Sequence, residues 1–131
     1  MKRPRLVVAD NHAKMRAALR ELLEPAYDVV AAVADGEAAL NAADRYAPDA
    51  ILLDISLPGI NGLEVAHYLK RKRPEVRIIF VTVHSDRAYA AEAFRLGAAG
   101  YIVKRALVKE LPAAIEKVLN GEYYRSPSVS E

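Results

Sequence analysis

Asp10 with Asn11, Asp54, Thr82 and Lys104 each follow or close a short apolar run, and together they offer two carboxylates, an amide, a hydroxyl and an ammonium. Asp54 is the natural nucleophile. An isolated aspartate, with a pKa of about 4, is ionised at pH 7 and needs no general base. Its attack on a phosphoryl group would give an aspartyl phosphate. That reaction brings anions together, so it requires a cation beside the nucleophile and donors on the phosphoryl oxygens. A magnesium ion held by oxygen ligands meets the first requirement. Lys104 as a charge and the Thr82 hydroxyl as a hydrogen-bond donor meet the second. A single aspartate at a strand end is commonly only a turn or helix cap. Four chemically distinct residues at the ends of four strands point instead to phosphoryl chemistry.

The elements that would gather these residues can be read from periodicity. The runs 6–9, 51–53, 78–81 and 101–103 are too short and too β-branched for helices and read as strands, with a further strand over 27–33. Between them, Met15, Ala18, Leu19, Leu22 and Leu23 form one helical stripe, as do Leu111, Ala114, Ile115, Val118 and Leu119. An alanine-rich helix follows Asp35-Gly36 and closes near Pro48, one over 63–73 stops at Pro74, and one over 87–96 is capped by Ser85 or Asp86. Pro112 falls in the first turn of the last helix, where proline is tolerated, and Gly121 stops that helix. Strand and helix thus alternate in the manner of a doubly wound parallel α/β sheet of five strands and five helices. In such sheets ligands bind at the carboxyl ends of the strands, where the four residues converge.

Composition narrows the setting. A chain of 131 residues suits one domain with a sizeable core, and 19 Lys plus Arg against 17 Asp plus Glu give a net charge of +2, with no strong pull toward nucleic acid or membrane. There is no cysteine, so disulfides and thiolate metal sites are excluded, and a cytoplasmic location is the expectation. The basic start Met1-Lys2-Arg3-Pro4-Arg5 is followed by too few apolar residues for a signal peptide, and no span approaches transmembrane length. Residues 121–131, with three serines around a proline, read as a linker toward something absent. The Lys70-Arg71-Lys72-Arg73 run reads as a solvated helix end, where cations favour the helix dipole, rather than a nucleic-acid patch.

Four stretches jointly resemble the receiver domains of two-component response regulators: Asp10-Asn11-His12; Ile51-Leu52-Leu53-Asp54-Ile55-Ser56-Leu57-Pro58-Gly59-Ile60-Asn61-Gly62; Thr82-Val83-His84-Ser85-Asp86; and Gly100-Tyr101-Ile102-Val103-Lys104. The stretch Leu119-Asn120-Gly121-Glu122-Tyr123-Tyr124-Arg125-Ser126-Pro127 also resembles the junction between receiver and helix-turn-helix domain in the NarL/FixJ subfamily. The resemblance implies a (βα)5, CheY-like receiver over residues 1–120 and a linker over 121–131 toward a DNA-binding domain. It implies that Asp54 accepts phosphate from a histidine kinase, that Lys104 and Thr82 contact the phosphoryl oxygens, and that Tyr101 is a rotamer switch. Asp10, Asn11, Asp54 and the Ser56 carbonyl would ligate magnesium, Pro58 and Gly62 would shape the adjoining loop, and Ser56 and His84 would tune dephosphorylation. The only chemistry implied is self-phosphorylation and self-dephosphorylation of Asp54, with homodimerisation as output. Tyr101 also reads as a half-buried strand aromatic, His84 as a surface loop histidine, and His12 as a helix-start surface residue.

Two positions depart from the family pattern. Asn11 stands where the family has a second acidic residue, so the metal would face two carboxylates rather than three, and weak magnesium binding is expected. Arg105 follows Lys104 where many receivers have proline. Asn11 motivates a rival, a phosphorylation-independent interaction module on the same fold. A phosphohydrolase resembling the haloacid dehalogenases would need a second acid two residues after Asp54, where Ser56 stands. A flavin protein of similar topology would need a Ser/Thr/Gly-rich loop after the first strand, which is missing here.

Overall fold

Alternation along each strand sends apolar side chains to both faces of one parallel sheet, and each face is covered by its own helices. The computed structural model describes residues 2–129. In chain order the elements are β1 (Arg5–Ala9), α1 (Ala13–Leu23), β2 (Asp28–Val33), α2 (Gly36–Tyr46), β3 (Ala50–Leu53), α3 (Gly62–Lys72), β4 (Arg77–Thr82), α4 (Arg87–Arg95), β5 (Gly100–Val103), α5 (Leu107–Leu119) and β6 (Tyr124–Arg125), with a 3-10 turn over Lys104–Ala106. The strands lie in the order β2-β1-β3-β4-β5-β6, every neighbouring pair parallel. Val7, Ile51, Leu53, Phe80 and Tyr101 pack on one face with Ala39 and Ala43 of α2, Val65 and Leu69 of α3, and Ala90 and Ala93 of α4. Leu6, Val8, Leu52, Ile79 and Ile102 pack on the other with Leu19 and Leu23 of α1 and Leu111, Ile115 and Val118 of α5.

Local chemistry sets the helix starts. The Asp35 carboxylate accepts from the Ala38 amide at 2.8 Å at the head of α2. At the head of α3, Asn61 Oδ1 accepts from the Glu64 amide at 2.9 Å while Glu64 Oε1 accepts from the Asn61 amide at 3.1 Å, a reciprocal capping box. Asp86 occupies the cap position of α4, but its side chain makes no capping bond, so the expected cap is one of position only. Pro112 lies deeper than its predicted first-turn place, because α5 begins at Leu107. The carbonyl its missing N–H leaves free is that of Val108, which is exposed, so water can satisfy it. Ala18, expected on the buried stripe of α1, is exposed.

The segment expected to be a linker is instead part of the domain as far as residue 129. Tyr124 and Arg125 add a sixth strand beside Gly100 and Tyr101, Ser126 is buried, and Val129 joins the core on the α2–α3–α4 side. Without this strap the β5 edge would present unpaired N–H and C=O groups. Ser130 and Glu131, also placed in the linker by sequence, lie outside the described residues.

Gly62 sits where the loop after β3 returns to the sheet. Its amide donates to the Ile55 carbonyl at 2.8 Å, and a Cβ on it would fall on the backbone carbonyl oxygen of Asp54. Gly62→Ala is therefore expected to destabilise the domain by about 1–3 kcal/mol through forced backbone displacement, measured by urea unfolding. Unchanged stability would show that this approach is looser than described.

Candidate functional site

The carboxyl ends of β1, β3, β4 and β5 bring the chemistry-bearing residues together. Asp10 and Asp54 follow directly on β1 and β3, which are neighbours, so their carboxylates rise side by side; they are only 1% and 3% exposed. Lys104 leaves β5 in the 3-10 turn and places Nζ 2.7 Å from Asp10 Oδ2 and 3.0 Å from Asp54 Oδ2. The other carboxylate oxygens are held by backbone. Asp10 Oδ1 accepts from the His12 amide at 2.9 Å, and Asp54 Oδ1 accepts from the Ser56 amide at 3.3 Å. Burial pulls the Lys104 pKa down, but its bonds and charge interactions with Asp10 and Asp54 more than offset this and leave it above the ordinary value. Two carboxylates against one ammonium leave the cluster with net negative charge.

The remaining predicted residues surround this ion triplet unequally. Thr82 ends β4, is fully buried, and its Oγ1 accepts from the His84 amide at 3.3 Å. Ser56 and His84 meet over the site mouth, with Ser56 Oγ and His84 Nε2 3.2 Å apart, and the His84 ring stacks on Tyr89 at 4.2 Å between centroids. Tyr101 is fully buried rather than half-buried, and its hydroxyl donates to the His84 carbonyl at 2.7 Å. Desolvation raises its pKa, so it stays a donor at neutral pH. Asn11 is exposed beside Asp10, Pro58 lies exposed on the loop after β3, and Gly62 touches the Asp54 backbone. His12 is the exposed residue at the start of α1, as expected, and its ring Nδ1 lies 3.3 Å from Asp10 Oδ1.

Three contributors had no sequence signal strong enough to single them out. Tyr89 braces His84 from α4, and Phe94 leans on Tyr101 with centroids 6.5 Å apart. Glu110, on the first turn of α5, takes the Tyr124 and Ser126 hydroxyls at 2.9 and 2.6 Å. Only the aromatic character of Tyr89 and Phe94 could have hinted at the first two.

The donors suit a hard cation. Asp10, Asp54, the Asn11 amide and the Ser56 backbone carbonyl offer oxygen only, which fits magnesium and not a soft metal. Among the described residues no group of three or more His, Cys, Asp or Glu side chains is arranged to hold a metal ion, so charge comes from two carboxylates alone. No helix among the described residues is long and apolar enough to cross a membrane.

The response regulator receiver domain model matches residues 6–116. The chain belongs to the response regulator receiver domain family. Its fold is the α/β receiver fold, here with six strands. This receiver is 34% identical over 127 residues to the transcriptional regulatory protein DegU of Brevibacillus brevis, an alignment covering 95% of the chain and 54% of DegU. The chain thus spans about half the length of that relative. Among solved structures it resembles a LuxR-family two-component response regulator from Aurantimonas sp. SI85-9A1, with a TM-score of 0.93, 35% identity, and coverage of 98% of this chain and 93% of the other. It also resembles the isolated receiver domain of RcsB from Salmonella enterica serovar Typhimurium, solved with the phosphomimetic BeF3−, with a TM-score of 0.90, 25% identity, and coverage of 98% and 96%. A further RcsB structure shows two dimers bound to two parallel DNAs, at a TM-score of 0.90 and 25% identity, covering 98% of this chain and 66% of RcsB.

The ion triplet makes a stability prediction. Lys104→Met leaves two buried carboxylates facing each other and is expected to cost about 3–5 kcal/mol in urea unfolding at pH 7. Asp54→Asn should cost less, because Lys104 keeps Asp10 and one like charge is gone. Equal costs would show that Lys104 is not the shared counter-ion.

Proposed function

We propose that this receiver accepts a phosphoryl group on Asp54 from the phosphohistidine of a histidine kinase, and that the modification alters self-association and output of a transcription regulator. The observation that carries this reading is the Lys104 ammonium bridging Asp10 and Asp54 in a buried cluster at the strand ends. An Asp54 oxygen attacks phosphorus, the P–N bond breaks, and the imidazole nitrogen of the kinase keeps the bonding pair and takes a proton. Lys104, freed from Asp54 as a carboxylate oxygen becomes the bridging oxygen of an acyl phosphate, turns its charge on the phosphoryl oxygens. The Thr82 hydroxyl donates to one of them once it gives up the His84 amide. With the β4–α4 loop drawn toward the phosphoryl group, Tyr101 loses its acceptor at the His84 carbonyl and can change rotamer. Asp10, Asn11, Asp54 and the Ser56 carbonyl would hold a magnesium ion, whose charge offsets that of the phosphoryl oxygens when bound. Ser56 and His84, bonded across the mouth, govern the approach of the water that hydrolyses the acyl phosphate. Self-phosphorylation and its reversal are then the whole of the chemistry.

The relatives support the wider setting. DegU is a transcriptional regulatory protein longer than this chain, and RcsB dimers bind DNA. By analogy the partners here are a cytoplasmic histidine kinase domain, a second copy of the chain, and DNA through a C-terminal domain. Asn11 favours one alternative, a receiver that works without phosphorylation because its metal site lacks a carboxylate.

Acetyl phosphate with magnesium is expected to add one phosphate to the chain, seen by intact mass, and to change its size on a gel-filtration column, while Asp54→Asn does neither. No mass gain at saturating magnesium would overturn the phosphoacceptor reading, and regulation left intact in cells by Asp54→Asn would establish the alternative. Asn11→Asp should tighten magnesium by about tenfold or more in calorimetric titration, and equal affinities would show that Asn11 is no handicap.

A further inference from the structure

Through the buried Ser126, the strap after α5 touches the residue next to Lys104. β6 pairs with only Gly100 and Tyr101, so its ladder stops short of the end of β5. At that point the Ser126 amide donates to the Tyr101 carbonyl at 2.9 Å, and the Ser126 hydroxyl then takes over from the backbone, accepting from the Val103 amide at 3.1 Å. The same hydroxyl donates to Glu110 Oε1 at 2.6 Å. Ser126 is 1% exposed; its bond from Val103 is buried and its bond to Glu110 is part-buried. Between Val103 and Glu110 the chain is the 3-10 turn that carries Lys104 and the first turn of α5. A closed ring results: Val103, the Lys104 turn, Glu110, Ser126, and back to Val103.

We propose that Ser126 and Glu110 are positioning residues for Lys104, so that the segment after α5 is part of the machinery that sets the phosphoacceptor site. The proposal rests on the phosphoacceptor reading for its functional consequence, though not for its geometry. A serine hydroxyl suits the place because it is donor and acceptor at once. A carbonyl from a longer β6 would satisfy Val103 but could not reach out to α5 as a donor. Glu110 Oε1 also accepts from the Tyr124 hydroxyl at 2.9 Å, so one carboxylate oxygen gathers two donors from the strap. Burial and that bond push the Tyr124 phenol up to about 12, keeping it protonated at neutral pH. The strap has a separate anchor on the opposite face. The exposed Tyr123 ring meets Phe94 edge-on at 6.4 Å, and Phe94 in turn leans on Tyr101. Lys104 needs such support because it reaches from β5 past β4 to carboxylates on β1 and β3. Small displacements of a positioned catalytic charge carry large rate penalties.

The test compares the 131-residue chain with Ser126→Ala, Ser126→Thr, Glu110→Gln and Glu110→Leu. Three quantities are followed: amide exchange across residues 103–106, the NMR signal of the Lys104 ammonium, and the affinity for beryllofluoride with magnesium. Ser126→Ala and Glu110→Leu are expected to raise exchange at Val103, shift the Lys104 signal, and weaken beryllofluoride binding about three- to tenfold, the range one hydrogen bond supports. Ser126→Thr and Glu110→Gln keep a hydroxyl and an acceptor and should restore all three. Lowered melting temperature with unchanged Lys104 signal and beryllofluoride affinity would reduce the strap to plain structure and overturn the proposal. Should the unaltered chain itself fail to bind beryllofluoride, the phosphoacceptor reading falls. Exchange and the Lys104 signal then still decide the positioning role: shifts restored by the conservative variants uphold it, and their absence overturns it.

Discussion

Two carboxylates buried side by side repel each other, and the Lys104 ammonium between them is what makes the arrangement tolerable. Asp10 and Asp54 are adjacent because β1 and β3 are adjacent, and both are almost wholly excluded from water. Charges so placed are strongly unfavourable unless paired and hydrogen-bonded. Lys104 supplies the pairing at 2.7 and 3.0 Å, and the His12 and Ser56 amides satisfy the remaining oxygens. The end of β5 lies about 10 Å from β3, two strand spacings away. A long, flexible ammonium stem is suited to that span.

The same dependence shows why the surroundings are built as they are. Close packing of Gly62 on the Asp54 backbone fixes where the carboxylate starts, and the capping box at Asn61 and Glu64 fixes where the loop ends. On the far side, the turn bearing Lys104 is tied to β5, α5 and the strap through Ser126 and Glu110. The site is tied down at its edges while its roof is built differently. α4 buries only Ala90 and Ala93 fully and lacks a side-chain cap, and the Ser56–His84 contact is exposed. Few buried apolar contacts mark an element that can shift at low cost. The Tyr101 hydroxyl bond to the His84 carbonyl joins this roof to the buried strand below it.

The repeating pattern is legible in the sequence: apolar runs of strand length, helical stripes, and polar residues at strand ends. Those signals are local, so they survive in a linear chain. Asp10, Asp54 and Lys104 were found because each closes such a run. The strap was not found, because two paired residues carry no periodicity and its partners, Glu110 and Val103, lie 16 and 23 residues back along the chain. Pro112 sits a turn deeper than the sequence suggests, because α5 starts earlier than any capping residue marks.

The sequence by itself determined that this is a doubly wound α/β domain and which residues crowd its strand ends, since hydrophobic period and punctuation are properties of neighbouring residues; the receiver kind came from the resemblance of its motifs. It also showed an amide, Asn11, where the family it resembles has a carboxylate, because residue identity needs no fold. Only the tertiary structure decided that Lys104 pairs with both aspartates, that Tyr101 points inward to the His84 carbonyl, that His84 bridges to Ser56, that Tyr124 and Arg125 join the sheet, and that Val129 packs in the core. Each of these is a contact between residues far apart in the chain, and only the closing of the sheet brings such partners within a hydrogen bond of one another.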